Sequence, residues 1–258
     1  MKNTLKFYTI ELLLAGIFIL TYTPTLIWMW DRWFARDSYY SHGILIPFVT
    51  GFLIWQMRGE LAEIHPKRSR WGMPLIIIGL CVHLVSSLLR VYFTSGFSML
   101  LVIAGLVLFF YGSQTLKKIT FPICFLMFMI PVPMVVIANI SFKMKIFAAQ
   151  IATTALNGMG LPAVRAGSIL KMQHAQVIVD DICSGLRSLI SLMALGSIFA
   201  YWMKAVMFKR ILLFLSTIPI AVVTNVIRVI FLASVSEIWG PEYATGFVHD
   251  LSGFMVFA

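Results

Sequence analysis

A series of long apolar runs restricts the fold of this chain more than any other feature of its sequence. A helix needs roughly 20 apolar residues to cross about 30 Å of hydrocarbon. Runs of about this length cover residues 8–30, 40–57, 73–93, 97–114, 119–138, 183–203 and 211–235, and a last run begins near His249. The sequence therefore predicts an all-α integral membrane protein with about eight transmembrane helices.

The composition indicates the same fold class. Apolar residues make up 60% of the chain and charged residues 12%, whereas a water-soluble domain carries about 25% charged residues. These values exclude a disordered chain and a soluble basic nucleic-acid binder, so no nucleic-acid partner is expected. The lipid bilayer is the expected environment.

Lysine and arginine residues predict how the chain crosses the membrane. Short cytoplasmic loops carry an excess of these residues. With the N-terminus in the cytoplasm, the inner side collects Lys2, Lys6, Arg58, Lys67, Arg68, Arg70, Lys117, Lys118, Lys204, Lys209 and Arg210, while the short outer loops hold Arg32 and Arg36. The N-terminus is therefore predicted to be cytoplasmic. The first span lacks a small-x-small cleavage site and is expected to remain in place.

No internal repeat or linker divides the chain, so residues 1–258 are predicted to form a single polytopic membrane domain. An extracytoplasmic insertion is predicted at residues 139–182. It begins with an amphipathic helix expected on the membrane surface, with apolar residues at i+3 and i+4 spacing. Residues 165–171 and 176–179 flank a polar turn at Gln173 and His174, a pattern that favours a small β-hairpin.

One of the three cysteines stands out. Cys81 and Cys124 lie within apolar runs and are predicted to act as small hydrophobic side chains. The chain has no CxxC motif, and no His, Cys, Asp or Glu cluster has the spacing of metal ligands, so neither a metal nor another cofactor is expected. Cys183 instead follows Asp180 and Asp181, which can cap a helix and place the thiol in its first turn, where the helix dipole favours thiolate.

Two arginines could stabilise that thiolate. Arg187 stands four residues after Cys183, hence on the same face of a helix. Arg228 lies within the seventh predicted span, and Asn225 makes the same face polar one turn earlier. An arginine inside a span costs on the order of 2.5–3.5 kcal/mol and normally marks a function. Snorkelling of Arg228 toward the outer headgroups is the structural alternative.

His249 is the preferred general acid and base. Because successive spans alternate in direction, Cys183, Arg228 and His249 are predicted to converge at the outer membrane face. A thiolate, an imidazole and a fixed guanidinium suit acyl transfer. Four other histidines compete by position: His42 at an outer helix start, His174 in the insertion, His83 within span three, and the cytoplasmic His65.

These segments resemble the exosortase/archaeosortase family. The resemblance rests on residues 183–187 (CSGLR), residues 225–228 (NVIR), and His249 followed by Gly253 and Phe254. Residues 40–43 (YSHG) with Pro47, and residues 128–133 (FMIPVP), are similar to the N-terminal half of the family. The similarity covers nearly the whole chain.

The resemblance implies a membrane cysteine transpeptidase or protease. Such enzymes recognise proteins with a C-terminal sorting tail, which combines a short motif such as Pro-Glu-Pro, a transmembrane helix and a basic cluster. The family's catalytic Cys, Arg and His match Cys183, Arg228 and His249. Expected supporting or substrate-binding residues are Ser184, Arg187, Asn225 and His42.

The resemblance leaves the fate of the cleaved protein open. The tail would be cut through a thioester, with the remainder either released or transferred to an acceptor such as a lipid or polysaccharide. The expected location is the inner, cytoplasmic membrane of the cell, with the active site on its extracytoplasmic face. The competing hypotheses are a transporter or channel that uses Arg228 and Asn225 in a substrate path, and a structural membrane scaffold.

Overall fold

The computed structural model is predominantly helical and describes residues 2–36, 38–179 and 185–240. The helices are α1 (Lys2–Trp33), α2 (Leu45–Gln56), α3 (Arg58–Glu63), α4 (Gly72–Leu88), α5 (Tyr92–Phe110), α6 (Ser113–Phe125), α7 (Met134–Gly158), α8 (Leu186–Trp202) and α9 (Met207–Trp239). Short 3₁₀ turns at Ser41–Ile44 and Leu126–Met129 precede α2 and follow α6. The chain divides into two compact units, Met1–Pro131 and Val132–Ala258.

Four described helices are long and apolar enough to cross a bilayer. They are Leu12–Trp33, Tyr92–Phe110, Met134–Gly158 and Met207–Trp239. Three shorter apolar helices, Ser41–Gln56, Gly72–Leu88 and Leu186–Trp202, coincide with other predicted spans. The helical membrane architecture is thus confirmed, whereas the number of eight spans is not. The eighth predicted span lies outside the described residues.

The predicted span at residues 119–138 is wrong in its bounds. Helix α6 ends at Phe125, and α7 begins only at Met134, after Pro131 and Pro133. Proline lacks a backbone N–H and forces the preceding residue toward extended conformations, so two closely spaced prolines end the helix here. The predicted amphipathic helix is therefore the later part of α7, which as a whole is long and apolar enough to cross a bilayer.

Glycines allow α4 and α5 to pack closely in the first unit. A Cβ atom added to Gly72 would lie 2.5 Å from the backbone nitrogen of Phe109, and one added to Gly105 would lie 2.9 Å from that of Ile76. Backbones can approach this closely only where side chains are absent, which is how small residues pack membrane helices.

A buried polar network joins α1, α4 and α5. The Thr25 and Ser95 hydroxyls lie 2.6 Å apart, and the Tyr22 and Ser98 hydroxyls 3.0 Å apart. His83 Nδ1 lies 2.8 Å from the same Ser95 hydroxyl. Hydrogen bonds between membrane helices satisfy groups that lipid cannot. The structure thus gives His83 a role in packing the first unit.

The second unit carries a small antiparallel sheet. Its strands are β1 (Val164–Ala166), β2 (Ile169–Lys171) and β3 (Gln176–Ile178), in the order β1-β2-β3. The predicted hairpin is confirmed as β2 and β3, but the stretch before it forms two strands rather than one. Gly167, with φ of +66°, makes the additional tight turn, which requires a residue that tolerates positive φ.

Small side chains bring α7 and α9 together beneath this sheet. Ala148, Ala149 and Ala152 of α7 are buried in one cluster with Val229 and Ala233 of α9. The sheet contacts α7 through β1 and β2, and α9 through β3. Both helices therefore carry the sheet on their C-terminal halves.

Glu237 fastens the β2–β3 hairpin to α9. Its side chain is only 5% exposed, and each carboxylate oxygen accepts a hydrogen bond of 3.1 Å from the His174 backbone N–H. The Ala175 N–H also donates to this carboxylate. The His174 imidazole Nδ1 lies 3.0 Å from Oε1. One carboxylate thus satisfies the turn of the hairpin and ties it to the last turns of the helix.

Replacing Glu237 by glutamine should loosen the hairpin. Hydrogen bonds to a charged group contribute about 1.5–3 kcal/mol, and the amide keeps the shape but loses the charge. We expect faster hydrogen exchange at the backbone amides of His174 and Ala175, measured by mass spectrometry. Glu60→Gln is the control, since it removes only the exposed ion pair with Lys118. Unchanged exchange in Glu237→Gln would contradict this role.

Candidate functional site

Gly185 brings two of the predicted site segments into contact. It immediately precedes α8 and has φ of +75°, a left-handed conformation that favours glycine. A Cβ atom at this position would lie 2.5 Å from Cγ and 2.7 Å from Cβ of Asn225. Gly185, the glycine of the CSGLR string, therefore adjoins Asn225 in the polar part of α9.

Asn225 and Arg228 lie one helical turn apart on α9. Asn225 is only 3% exposed, and Arg228 is half-buried. A buried amide in an otherwise apolar helix is costly unless it makes hydrogen bonds, so its presence marks a specific contact. In the described structure this side chain lies against Gly185.

Arg187 is the second residue of α8 and is half-buried. Helix α8 begins at Leu186 and Cys183 lies outside the described residues, so the predicted helical relation between Cys183 and Arg187 stays a prediction. Arg187 nonetheless lies one turn or less from the Gly185–Asn225 contact.

Three predicted site residues, Cys183, Ser184 and His249, lie outside the described residues. Their convergence with Arg228 stays a prediction. Cys81 and Cys124 are described, and both are exposed on their helices rather than buried. Side chains on apolar helices can face lipid as well as protein, which the run of apolar letters does not distinguish.

His42 belongs to the first unit, in the 3₁₀ turn Ser41–Ile44. Its ring stacks on that of Tyr40, with the centroids 6.0 Å apart. The neighbouring Gly43 leaves room for the indole of Trp33, whose Nε1 donates to the Met129 carbonyl at 2.8 Å. The residues 40–43 (YSHG) thus build a packed junction, and a substrate-binding role for His42 stays a prediction.

The described part of the second unit carries an excess of positive charge. The described residues after position 131 include Lys143, Lys145, Arg165, Lys171, Arg187, Lys204, Lys209, Arg210 and Arg228. Glu237 is the single acidic residue in this described part, and its carboxylate binds the hairpin turn. An excess of cations favours groups that carry or develop negative charge, such as the oxyanion of a tetrahedral intermediate.

Within the described ranges, no three His, Cys, Asp or Glu side chains are grouped as metal ligands.

The sequence did not predict two features of the site: the contact made by Gly185 and the anchoring role of Glu237. The glycine of the CSGLR string was the available signal for the first. A lone glutamate near the end of an apolar helix was the signal for the second.

The apolar helices and their intramembrane polar residues define a membrane-embedded, multi-pass protein. The family model described as Transmembrane exosortase (Exosortase_EpsH) matches residues 30–258. The chain belongs to this family, which is generally one of cysteine peptidases and transpeptidases acting on membrane-associated substrates with sorting signals. No curated protein and no solved structure matches the chain.

Proposed function

We propose that this protein cleaves the C-terminal sorting tail of exported membrane proteins through a thioester on Cys183. The observation that carries the proposal is the contact between Gly185 and Asn225. Consecutive Cα atoms are 3.8 Å apart, so two residues of chain extend at most about 7 Å. Cys183 is two residues from Gly185, which keeps it in the neighbourhood of the polar face of α9.

The proposed chemistry assigns one role to each residue. The Cys183 thiolate attacks the scissile carbonyl, and a C–S bond forms while the Arg228 guanidinium stabilises the oxyanion. The C–N bond then breaks as His249 donates a proton to the leaving amine. Water or an acceptor amine, deprotonated by His249, attacks the thioester and regenerates the thiolate. Ser184 and Arg187 are proposed to bind the substrate beside this centre.

The proposed location is the extracytoplasmic face of the inner membrane. The basic loops support a cytoplasmic N-terminus for α9, where Lys209 and Arg210 lie. Asn225 and Arg228 then lie toward the opposite side. Exported proteins present their sorting motif on that side, so the proposed nucleophile and the motif would meet there.

The experiment that tests the proposal is capture of the thioester. A reporter with a Pro-Glu-Pro motif, an apolar helix and a basic cluster is co-expressed, and the protein is acid-quenched and digested. We expect a hydroxylamine-sensitive reporter adduct on the peptide that contains Cys183, detected by mass spectrometry. Cleavage of the reporter without any adduct, even under rapid quenching, would contradict covalent catalysis by Cys183.

Replacing Arg228 by lysine should reduce cleavage by about 10²-fold or more, because lysine keeps the charge but loses the planar fork that positions two hydrogen bonds. The cleavage rate of the reporter measures the effect. Arg165→Lys is the matched control, since Arg165 lies on the sheet and binds the Gly167 carbonyl at 3.1 Å. Equal rates for the two variants would remove Arg228 from the mechanism.

Transport is the competing function, and the polar network of the first unit is the observation that favours it. His83, Ser95 and Tyr22 place polar groups inside a helix bundle, where such groups can line a path. Solute flux into proteoliposomes that persists in Cys183→Ala would support transport. Loss of reporter cleavage in Cys183→Ala, with no solute flux through the native protein or the variant, would support the peptidase.

A further inference from the structure

A groove of about 440 Å³ lies between α7 and α9, next to the candidate site. Its lining includes Lys143 and Phe147 from α7, and Pro219, Val222 and Asn225 from α9. All of these belong to the second unit. Apart from Lys143 and Asn225, the lining residues are apolar.

The groove forms where the two helices cease to pack closely. Ala148, Ala149 and Ala152 allow close approach farther along α7. Toward the other end of the contact, larger side chains replace the alanines, and Pro219 interrupts the hydrogen bonding of α9. Proline removes one i to i−4 bond and displaces the preceding turn, so helices commonly bend there. The gap between the helices is thus built into their sequences.

One end of the groove is continuous with the site. Asn225 lines the groove, and its side chain also contacts Gly185. From Asn225, the groove follows α9 back to Ile218, toward the predicted cytoplasmic end. Seven residues of helix cover about 10 Å. The groove therefore leads from the candidate site into the membrane.

The direction of the groove and the charge at its edge restrict what can occupy it. A polypeptide cut beside Asn225 at the outer face would have its apolar C-terminal helix on the membrane side of the cut, where the groove lies. Lys143 is exposed within a helix that is apolar enough to cross a bilayer, and such a charge is stabilised by an opposite one. Glu237, the single described acidic residue of this unit, already binds His174.

We propose that the groove between α7 and α9 binds the apolar transmembrane helix of the substrate tail, with a substrate carboxylate paired with Lys143. This inference rests on the proposed function and adds the binding surface to it. Helices bind grooves through anchors on one face, and Phe147 and Val222 offer the apolar contacts. The charge pair would fix how deeply the helix inserts and hence which amide reaches Cys183.

Site-specific photo-crosslinking tests the groove without requiring turnover. A benzophenone amino acid replaces Val222, which lines the groove, or Val223, which is 55% exposed and is not among the lining residues. Both are placed in the Cys183→Ala protein with the tail-bearing reporter. We expect a cross-link to the reporter helix from position 222 and none from position 223. Equal cross-linking from both, or cross-links from 222 only to lipid or to the protein's own chain, would overturn the proposal.

Two further variants test the contacts in the otherwise native protein. Val222→Trp should fill the groove and lower kcat/KM for the reporter about tenfold or more, whereas Val223→Trp should not. Lys143→Glu should lower kcat/KM, and a reporter whose motif Glu is replaced by Lys should recover part of the loss. No effect of Val222→Trp and no recovery would overturn the proposal.

These results separate the groove from the proposed function. If the native protein cleaves the reporter through Cys183 but position 222 never cross-links to it, the groove proposal is wrong and the peptidase stands. If position 222 cross-links to the reporter but neither cleavage nor a Cys183 adduct is observed, the groove binds an apolar helix and the peptidase proposal is wrong.

Discussion

Replacing Cys183 by alanine is expected to abolish tail cleavage while the protein remains in the membrane. Alanine removes the only atom that could form the thioester, and loss of a nucleophile typically costs about 10⁴-fold or more. The change is small, because it removes a single sulfur atom. Cleavage of a co-expressed tail-bearing reporter, followed by immunoblotting, measures the effect, with membrane fractionation to confirm insertion.

The other two cysteines provide matched controls. Cys81 and Cys124 lie on exposed faces of α4 and α6. Their replacement by alanine should leave cleavage unchanged, because neither belongs to the proposed catalytic set of Cys183, Arg228 and His249. Cleavage retained in Cys183→Ala, or lost equally in Cys81→Ala, would refute Cys183 as the nucleophile.

Replacing Gly185 by alanine should cause the second large loss of cleavage activity. The new Cβ atom would lie 2.5 Å from Cγ of Asn225, so the start of α8 or the amide must move. The left-handed backbone adds about 1–2 kcal/mol of strain. Displacement of a reacting group by about 1 Å can reduce a rate by about 10²-fold. We therefore expect at least that loss in the cleavage rate, with the protein still inserted.

Gly167→Ala separates steric contact from backbone strain. Gly167 has φ of +66°, close to the +75° of Gly185, but an added Cβ atom would meet nothing within 4 Å. This variant carries similar strain without the collision, so it should lose some thermal stability and keep its activity. Equal losses of activity in both variants would show that contact with Asn225 is not what the site requires.

The helical membrane fold could be predicted because hydrophobicity alone decides which segments leave water. The extent of individual helices could not, since it depends on local backbone chemistry. Pro131 and Pro133 lie inside an apolar run, and hydropathy does not register the donors they remove. Likewise, Gly167 splits one predicted strand in two through its backbone freedom rather than its polarity.

The sequence indicates members for the candidate site, and these stay a prediction, but it gives little of the local geometry. Asn225 and Arg228 stand out as polar residues in an apolar helix, and the structure places the Asn225 side chain against Gly185. The start of α8 at Leu186 was not predictable from hydropathy, because it follows the left-handed backbone of Gly185. A single left-handed residue changes every angular relation across it.

The length of α9 sets a minimum reach for any substrate. Asn225 precedes Trp239 by fourteen residues, or about 21 Å of helix, and the hairpin is fastened near that far end through Glu237. The sheet would lie on the outer side of the proposed cleavage point. A folded cargo domain could not reach Asn225 itself. We therefore expect cleavable proteins to carry an extended spacer between that domain and the motif. At roughly 3.4 Å per residue, the spacer needs about six residues.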